Sequence, residues 1–337
     1  MIKKYILTTL LFWVCSIATS QIMLPAYQGM FSTKTGTVPG APTSLVATAG
    51  NAQATVSFSA PTSDGGNAIN SYTATSSPSG FTASGAASPL TLTGLSNGTS
   101  YTFTVVATNA LGNSVASLAS VSVTPIAPFV CGTSTVTFTY NGAFVTYGTV
   151  SRAYGGAVGT KCWLDRNLGA TRVATSSTDP SSYGHLFQWG RGADGHQIST
   201  SGVTAGQSNS ITPGNTFRTG SSNWYNGINP NNLWQGVSGA NNPCPSGYRL
   251  PTEVEWTAER GSWSSQNSAG AFGSPLKLPI PGYRSLSNGS LGSVGTAGNY
   301  WSSTISSTFS RNLLIHSTAT FNPDDRAYGE SVRCIKD

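Results

Sequence analysis

Between Pro39 and Thr124 apolar residues recur at every second position in short runs, and this alternation constrains the fold more than any other feature of the chain. Ala54, Val56, Phe58 and Ala60 share one face; Leu90 and Leu92 form a second run, and Tyr101, Phe103, Val105 and Ala107 a third. Turn-forming clusters such as Ser63-Asp64-Gly65-Gly66-Asn67 separate them. A period of two in short segments at regular spacing predicts a β-sandwich. Leu95-Ser96-Asn97-Gly98-Thr99-Ser100-Tyr101 has the form of a tyrosine corner, in which the Tyr hydroxyl meets backbone a few residues upstream.

The first 20 residues predict export. Lys3 and Lys4 precede an apolar run from Tyr5 to Ile17, and Ala18-Thr19-Ser20 supplies small residues before Gln21. This is the pattern of a signal peptide, and no second apolar run is long enough to span a membrane. Cleavage would lower the formal charge from +6 to +4. The remaining basic residues are scattered, so a nucleic-acid partner is not expected. Charged residues make up only 8% of the chain, and Gly, Ser, Thr and Asn fill their place. Four cysteines would remain, Cys131, Cys162, Cys244 and Cys334. In an exported chain they predict two disulfides, with three pairings possible.

Residues 21–38 form a linker, and the segment 39–125 resembles a fibronectin type III domain, with Phe58 where that family usually has Trp. Its single charged residue, Asp64, and its lack of an evident recognition loop suggest a spacer. A Pro-containing seam at 124–128 leads into a second domain, 126–337, which holds seven of the eight tryptophans and all three histidines. Long Gly-, Ser- and Asn-rich stretches, above all 195–245, predict functional loops.

Within the second domain, "NPCPSGYRLPTEVEWTAER" (242–260) is rich in residues that serve catalysis elsewhere. Thr252 and Glu255 nevertheless fit a capping box, and Glu253 and Glu255 suit the first turn of a helix. Val254 and Ala258 are expected to face inward, with Gly261 ending the helix. The carboxylates thus have structural tasks.

This stretch, together with "GTKCWLDRNLGA", "YGHLFQWGRGADGHQ", "PIPGYRS", "NYWSST" and "GESVRCIKD", resembles the Fibrobacter succinogenes-type major paralogous domain. That family is similar to the formylglycine-generating enzymes, whose fold is a variant of the C-type lectin fold. The resemblance implies a multi-domain protein: an all-β fibronectin type III sandwich, then a C-type-lectin-like α+β domain with long loops. It also implies pairing of Cys244 with Cys334, closing about 90 residues for roughly 4–5 kcal/mol, and of Cys131 with Cys162.

Formylglycine-generating enzymes bind copper through two late cysteine thiols. With all four cysteines in disulfides no thiol remains, so a shared scaffold without shared chemistry is expected. His185, His196 and His316 form no metal or triad motif, and Asp194-Gly195-His196 reads as a surface turn. Asn322-Pro323-Asp324-Asp325 is similar to the proline-flanked triplet with which C-type lectins hold calcium and sugar, but no Trp-Asn-Asp follows it. No cofactor is expected, and calcium binding has no support beyond that triplet.

Domains of this family resemble the targets of diversity-generating retroelements, whose adenine-directed mutagenesis rewrites Asn codons in a C-terminal segment. Ser306, Ser310, Asn312, His316, Thr318, Thr320, Phe321, Asn322, Asp324 and Tyr328 fit the resulting alphabet; Glu330 does not. Leu313 and Ile315 read as core, with Ser310, Asn312, Leu314 and His316 pointing outward. The ten residues are therefore the expected ligand-binding set for an extracellular protein or carbohydrate. Trp224, Tyr225 and Trp234 either join that surface or anchor the long loop from within. A non-enzymatic recognition protein is the expectation, with a structural cell-surface or fibre component and a formylglycine-generating-type oxidase as the alternatives.

Overall fold

The computed structural model describes residues 36–227 and 230–337, so the expected signal peptide and nearly all of the linker lie outside the described residues. The chain is mostly β and divides into two compact units between Pro128 and Phe129. No helix among the described residues is long and apolar enough to cross a membrane.

The first unit is a sandwich of seven strands: β1 (Thr43–Gly50), β2 (Gln53–Ser59), β3 (Ser71–Ser77), β4 (Thr82–Gly85), β5 (Leu90–Thr93), β6 (Thr102–Asn109) and β7 (Gly112–Asn113). One sheet has the order β1-β2-β5 and the other β4-β3-β6-β7. The alternating residues supply its core: Ala54, Val56, Leu92, Phe103, Val105 and Ala107 are all fully buried. Ser96 N–H donates to the Tyr101 hydroxyl at 3.1 Å, which completes the tyrosine corner. Beyond β7 the edge follows a period of three. Ser114, Ser117 and Ser120 each donate their N–H to a β6 carbonyl while their Oγ accepts from a β6 N–H. Val115, Leu118 and Val121 consequently point into solvent.

The second unit opens with the hairpin β8 (Val136–Tyr140) and β9 (Ala143–Tyr147), followed by β10 (Thr149–Ala153) and β11 (Thr160–Leu164). After these come the short strands β12 (Leu186–Gln188), β13 (Val203–Ala205) and β14 (Phe217–Thr219), then α1 (Glu253–Gly261) and α2 (Ser268–Gly273). The remaining strands are β15 (Tyr283–Arg284), β16 (Leu291–Gly292), β17 (Gly298–Ser306), β18 (Phe309–Ile315), β19 (Ala319–Asp324), β20 (Gly329–Ser331) and β21 (Ile335–Lys336). A seven-stranded sheet with the order β16-β15-β20-β17-β18-β19, and β12 also on β20, organises the unit. Neighbouring residues of β17 face opposite ways. Tyr300 joins a cluster with Trp163, Trp256, Leu313 and Ile315, whereas Trp301 joins one with Trp189, Trp234 and Phe187. Both faces of the central strands are therefore covered.

The disulfides are Cys131–Cys162 and Cys244–Cys334. The capping box at Thr252 and Glu255 is present in full. The inward face of α1 differs from expectation: Val254 is 66% exposed, and Glu255, Trp256 and Glu259 are buried instead. The reason is polar. Glu255 meets Arg249 at 2.7 Å, and Glu259 accepts from Arg152 at 2.9 Å, Tyr154 at 2.6 Å and Trp263 at 3.0 Å. Trp256 packs against Trp163 with ring centroids 4.9 Å apart and the rings tilted by 45°. The helix docks through ion pairs and one indole, and every carboxylate in it has a structural partner.

Candidate functional site

The ten residues singled out from sequence do not form one surface. In β18 they do share a face, since antiparallel register sets Ser310, Asn312 and Leu314 opposite Asp324, Asn322 and Thr320 of β19. Ser310 and Asn312 are nevertheless 0% and 1% exposed, which corrects the outward placement. Arg326 folds over Ser310, donating to its Oγ at 3.1 Å, and Asn312 lies under two carboxylates. Phe321 is also corrected: it packs half-buried on the opposite face against the Trp256 cluster, with the Arg260 guanidinium 4.8 Å from its ring centre. His316, Thr318 and Thr320 are exposed near the β18–β19 turn, and Ser306 and Asn322 are half-buried.

Asp324 and Tyr328 belong to a different arrangement. With Tyr283 and Asn299 they line a cleft of about 220 Å³ on the face of the sheet opposite α1. The Tyr283 and Tyr328 rings meet edge to face at 5.6 Å. Glu330, from β20, is fully buried at this place. Its Oε1 accepts from Asn312 Nδ2 at 2.8 Å and from Asn299 Nδ2 at 3.5 Å; Asn312 Nδ2 also reaches Asp324 Oδ2 at 3.1 Å. Burial pushes the Glu330 carboxyl well above its ordinary range, and the neighbouring Asp324 pushes it further. Burial also raises Asp324.

Three acceptors here have no hydrogen-bond partner: Glu330 Oε2, Asn299 Oδ1 and Asn312 Oδ1. Buried polar atoms are ordinarily paired, so such a concentration beside an open cleft calls for a donor. Of the site, sequence reasoning reached Asn312, Asp324 and Tyr328 and missed Tyr283, Asn299 and Glu330. A signal for Glu330 existed: it breaks the residue alphabet of its segment.

Other clusters are closed. A cleft of about 340 Å³ is lined by Tyr140, Arg166 and His185 among others. Arg166 there donates to Asp165 at 2.8 Å and to two carbonyls, and the Tyr140 hydroxyl meets His185 Nδ1 at 2.8 Å. Asp194-Gly195-His196 is no surface turn, because His196 is fully buried. Its Nε2 accepts from Gln188 N–H at 3.0 Å and its Nδ1 lies on Asp194, which in turn holds the buried Arg191 at 2.7 Å. Burial lowers the imidazole pKa to about 4, and both ring nitrogens are committed to structure. Trp224 and Trp234 are anchors, buried with their indole N–H groups on the carbonyls of Trp189 and Asn241.

The fibronectin type III domain model matches residues 40–123, and this stretch forms such a domain. No curated protein matches the chain. Similar solved structures include titin kinase with its flanking domains, at 24% identity over 26% of this chain and 17% of that one, TM-score 0.25. The titin A168–A170 domains match at 23% identity over 27% and 34% of the two chains, TM-score 0.26. Chicken CNTN1 FN1–FN3 domains match at 21% identity over 29% and 37%, TM-score 0.24. The chain spans about a third or less of the length of the titin chains it matches.

Proposed function

We propose that the chain is an exported, non-enzymatic recognition protein. In this reading a fibronectin type III module carries a C-type-lectin-like unit related to the Fibrobacter succinogenes-type major paralogous domain. The second unit binds an extracellular protein or glycan at the cleft of Tyr283, Asn299, Asp324 and Tyr328. The observation that carries the reading is the set of unpaired buried acceptors beside that cleft. Tyrosine walls supply contact area at low entropy cost, and Asn and Asp supply directional hydrogen bonds. Fibronectin type III domains are common extracellular recognition modules, and both disulfides suit an oxidising compartment. An array of extracellular proteins and glycans, probed with the wild type and Tyr328→Ala, tests the reading. Ligands lost at least tenfold by the variant at unchanged melting temperature support it; a ligand set bound equally by both proteins refutes it.

A structural role in a surface layer or fibre is favoured by one feature, the exposed Val115, Leu118 and Val121 on the edge of the first unit. Concentration-dependent self-association abolished by Leu118→Ser is its signature in sedimentation velocity.

A further inference from the structure

We infer that the cleft lined by Tyr283, Asn299, Asp324 and Tyr328 is built for a primary ammonium group presented by the ligand. The inference rests on the reading above that this cleft is the recognition site, and it names the chemistry the cleft selects.

The first observation is a charge imbalance confined to one place. The second unit contains ten of the eleven acidic residues of the chain. Seven have a cationic partner among the described residues: Asp165, Asp179, Asp194, Glu253, Glu255, Glu259 and Asp337. Of the other three, Asp324 lines the cleft, Glu330 lies buried next to it with Asn312 Nδ2 donating to both, and Asp325 follows Asp324 in the chain. The arginines nearest to them in the sheet are committed elsewhere. Arg284 donates to Gly289, His196, Ile198 and Ser201, Arg326 to Ser310, Asn231, Ser307 and Phe309, and Arg311 pairs with Glu253. Burying carboxylates without a counter-charge is costly, and elsewhere this unit avoids it.

The second observation is the geometry of the unpaired atoms. Glu330 is 0% exposed with Oε2 free, and Asn299 is 8% exposed, lines the cleft and has Oδ1 free. With the Asp324 carboxylate they offer acceptors from three side chains, and an ammonium carries three N–H donors and no acceptor. The aromatic walls receive a cation over a ring face and pack against the methylenes that carry it. A calcium ion fits less well. It takes six to eight oxygens, and no group of three or more metal-binding side chains exists among the described residues.

Lysine side chains and amino sugars both present this group. Titration calorimetry of the full exported chain therefore uses four probes: Nα-acetyl-lysine amide, glucosamine, Nα-acetyl-norleucine amide and calcium chloride. The inference expects binding of an ammonium probe, no binding of the norleucine probe, and at least tenfold weakening by Asp324→Asn and by Glu330→Gln. Asp324 is only partly buried, so its variant keeps the test usable if Glu330→Gln is poorly folded. Binding of the lysine probe alone assigns a protein ligand, and binding of glucosamine assigns an amino sugar. Equal binding of the norleucine probe, binding of calcium alone, or binding of neither ammonium probe overturns the inference. Should an array ligand sensitive to Tyr328→Ala then fail to compete with these probes, the recognition reading stands and only the ammonium assignment falls.

Discussion

The Cys244–Cys334 bridge fastens the start of the α1 segment to the chain just beyond β20, the strand that carries Glu330. Its removal is therefore the perturbation that most directly loosens the candidate site. The bridge spans 90 residues and the Cys131–Cys162 bridge spans 31. Loop-closure entropy then assigns about 4.6 kcal/mol to the first and about 3.7 kcal/mol to the second. Each bridge joins one buried cysteine to one partly exposed, but Cys334 is 0% exposed against 7% for Cys162, so the cavity left by Ala is slightly deeper in the first case. Tryptophan fluorescence isolates the effect, because residues 39–125 contain no Trp and the second unit contains seven. Urea unfolding followed at the indole should show Cys244→Ala/Cys334→Ala destabilised by about 5 kcal/mol or more, and Cys131→Ala/Cys162→Ala by about 4. A larger loss from the Cys131–Cys162 pair, or a loss below about 2 kcal/mol from the other, refutes the assignment of stability to loop length and burial.

Two further predictions concern pH. Glu330 has a raised pKa in the folded state, so the fold binds an extra proton above the ordinary carboxyl range; its stabilising share is largest at low pH and fades as pH rises through the raised value. Glu330→Gln should remove that slope and leave the second unit more stable than wild type at pH 8, and parallel stability curves would contradict it. His196 has the opposite sign. Its folded pKa of about 4 lies below the ordinary 6.5, so stability is complete above 6.5 and about 3 kcal/mol is lost as pH falls to 4. An NMR titration should find its imidazole neutral down to about pH 4; a midpoint at 6.5 or above would refute the burial argument.

Local pattern carried much of the fold. The alternation in 54–107 specified the sandwich core because each strand there has one face in and one face out. The Thr252 capping box was legible because its partners lie three residues apart. The pairing of cysteines 90 residues apart came only from the family resemblance, since no local rule connects them. The β18 alternation likewise separated Leu313 and Ile315 from Ser310 and Asn312 correctly. Alternation says which residues share a face, however, and not whether that face is covered. Arg326 and Glu330, from beyond the next turn, cover it. Val254 failed for a related reason, because α1 docks through buried glutamates, Glu255 on Arg249 just upstream and Glu259 on Arg152 far off in sequence. Asn299, Tyr283 and Glu330 come from three strands, and only the register of the sheet brings them to one cleft.

The most direct test of the proposed recognition site is hydrogen–deuterium exchange on the full chain with and without a bound array ligand. The account predicts ligand-induced protection in residues 283–284, 298–301 and 322–330, with residues 40–123 unchanged. Protection confined to 40–123, or to the 199–240 loops, would place recognition elsewhere and contradict it.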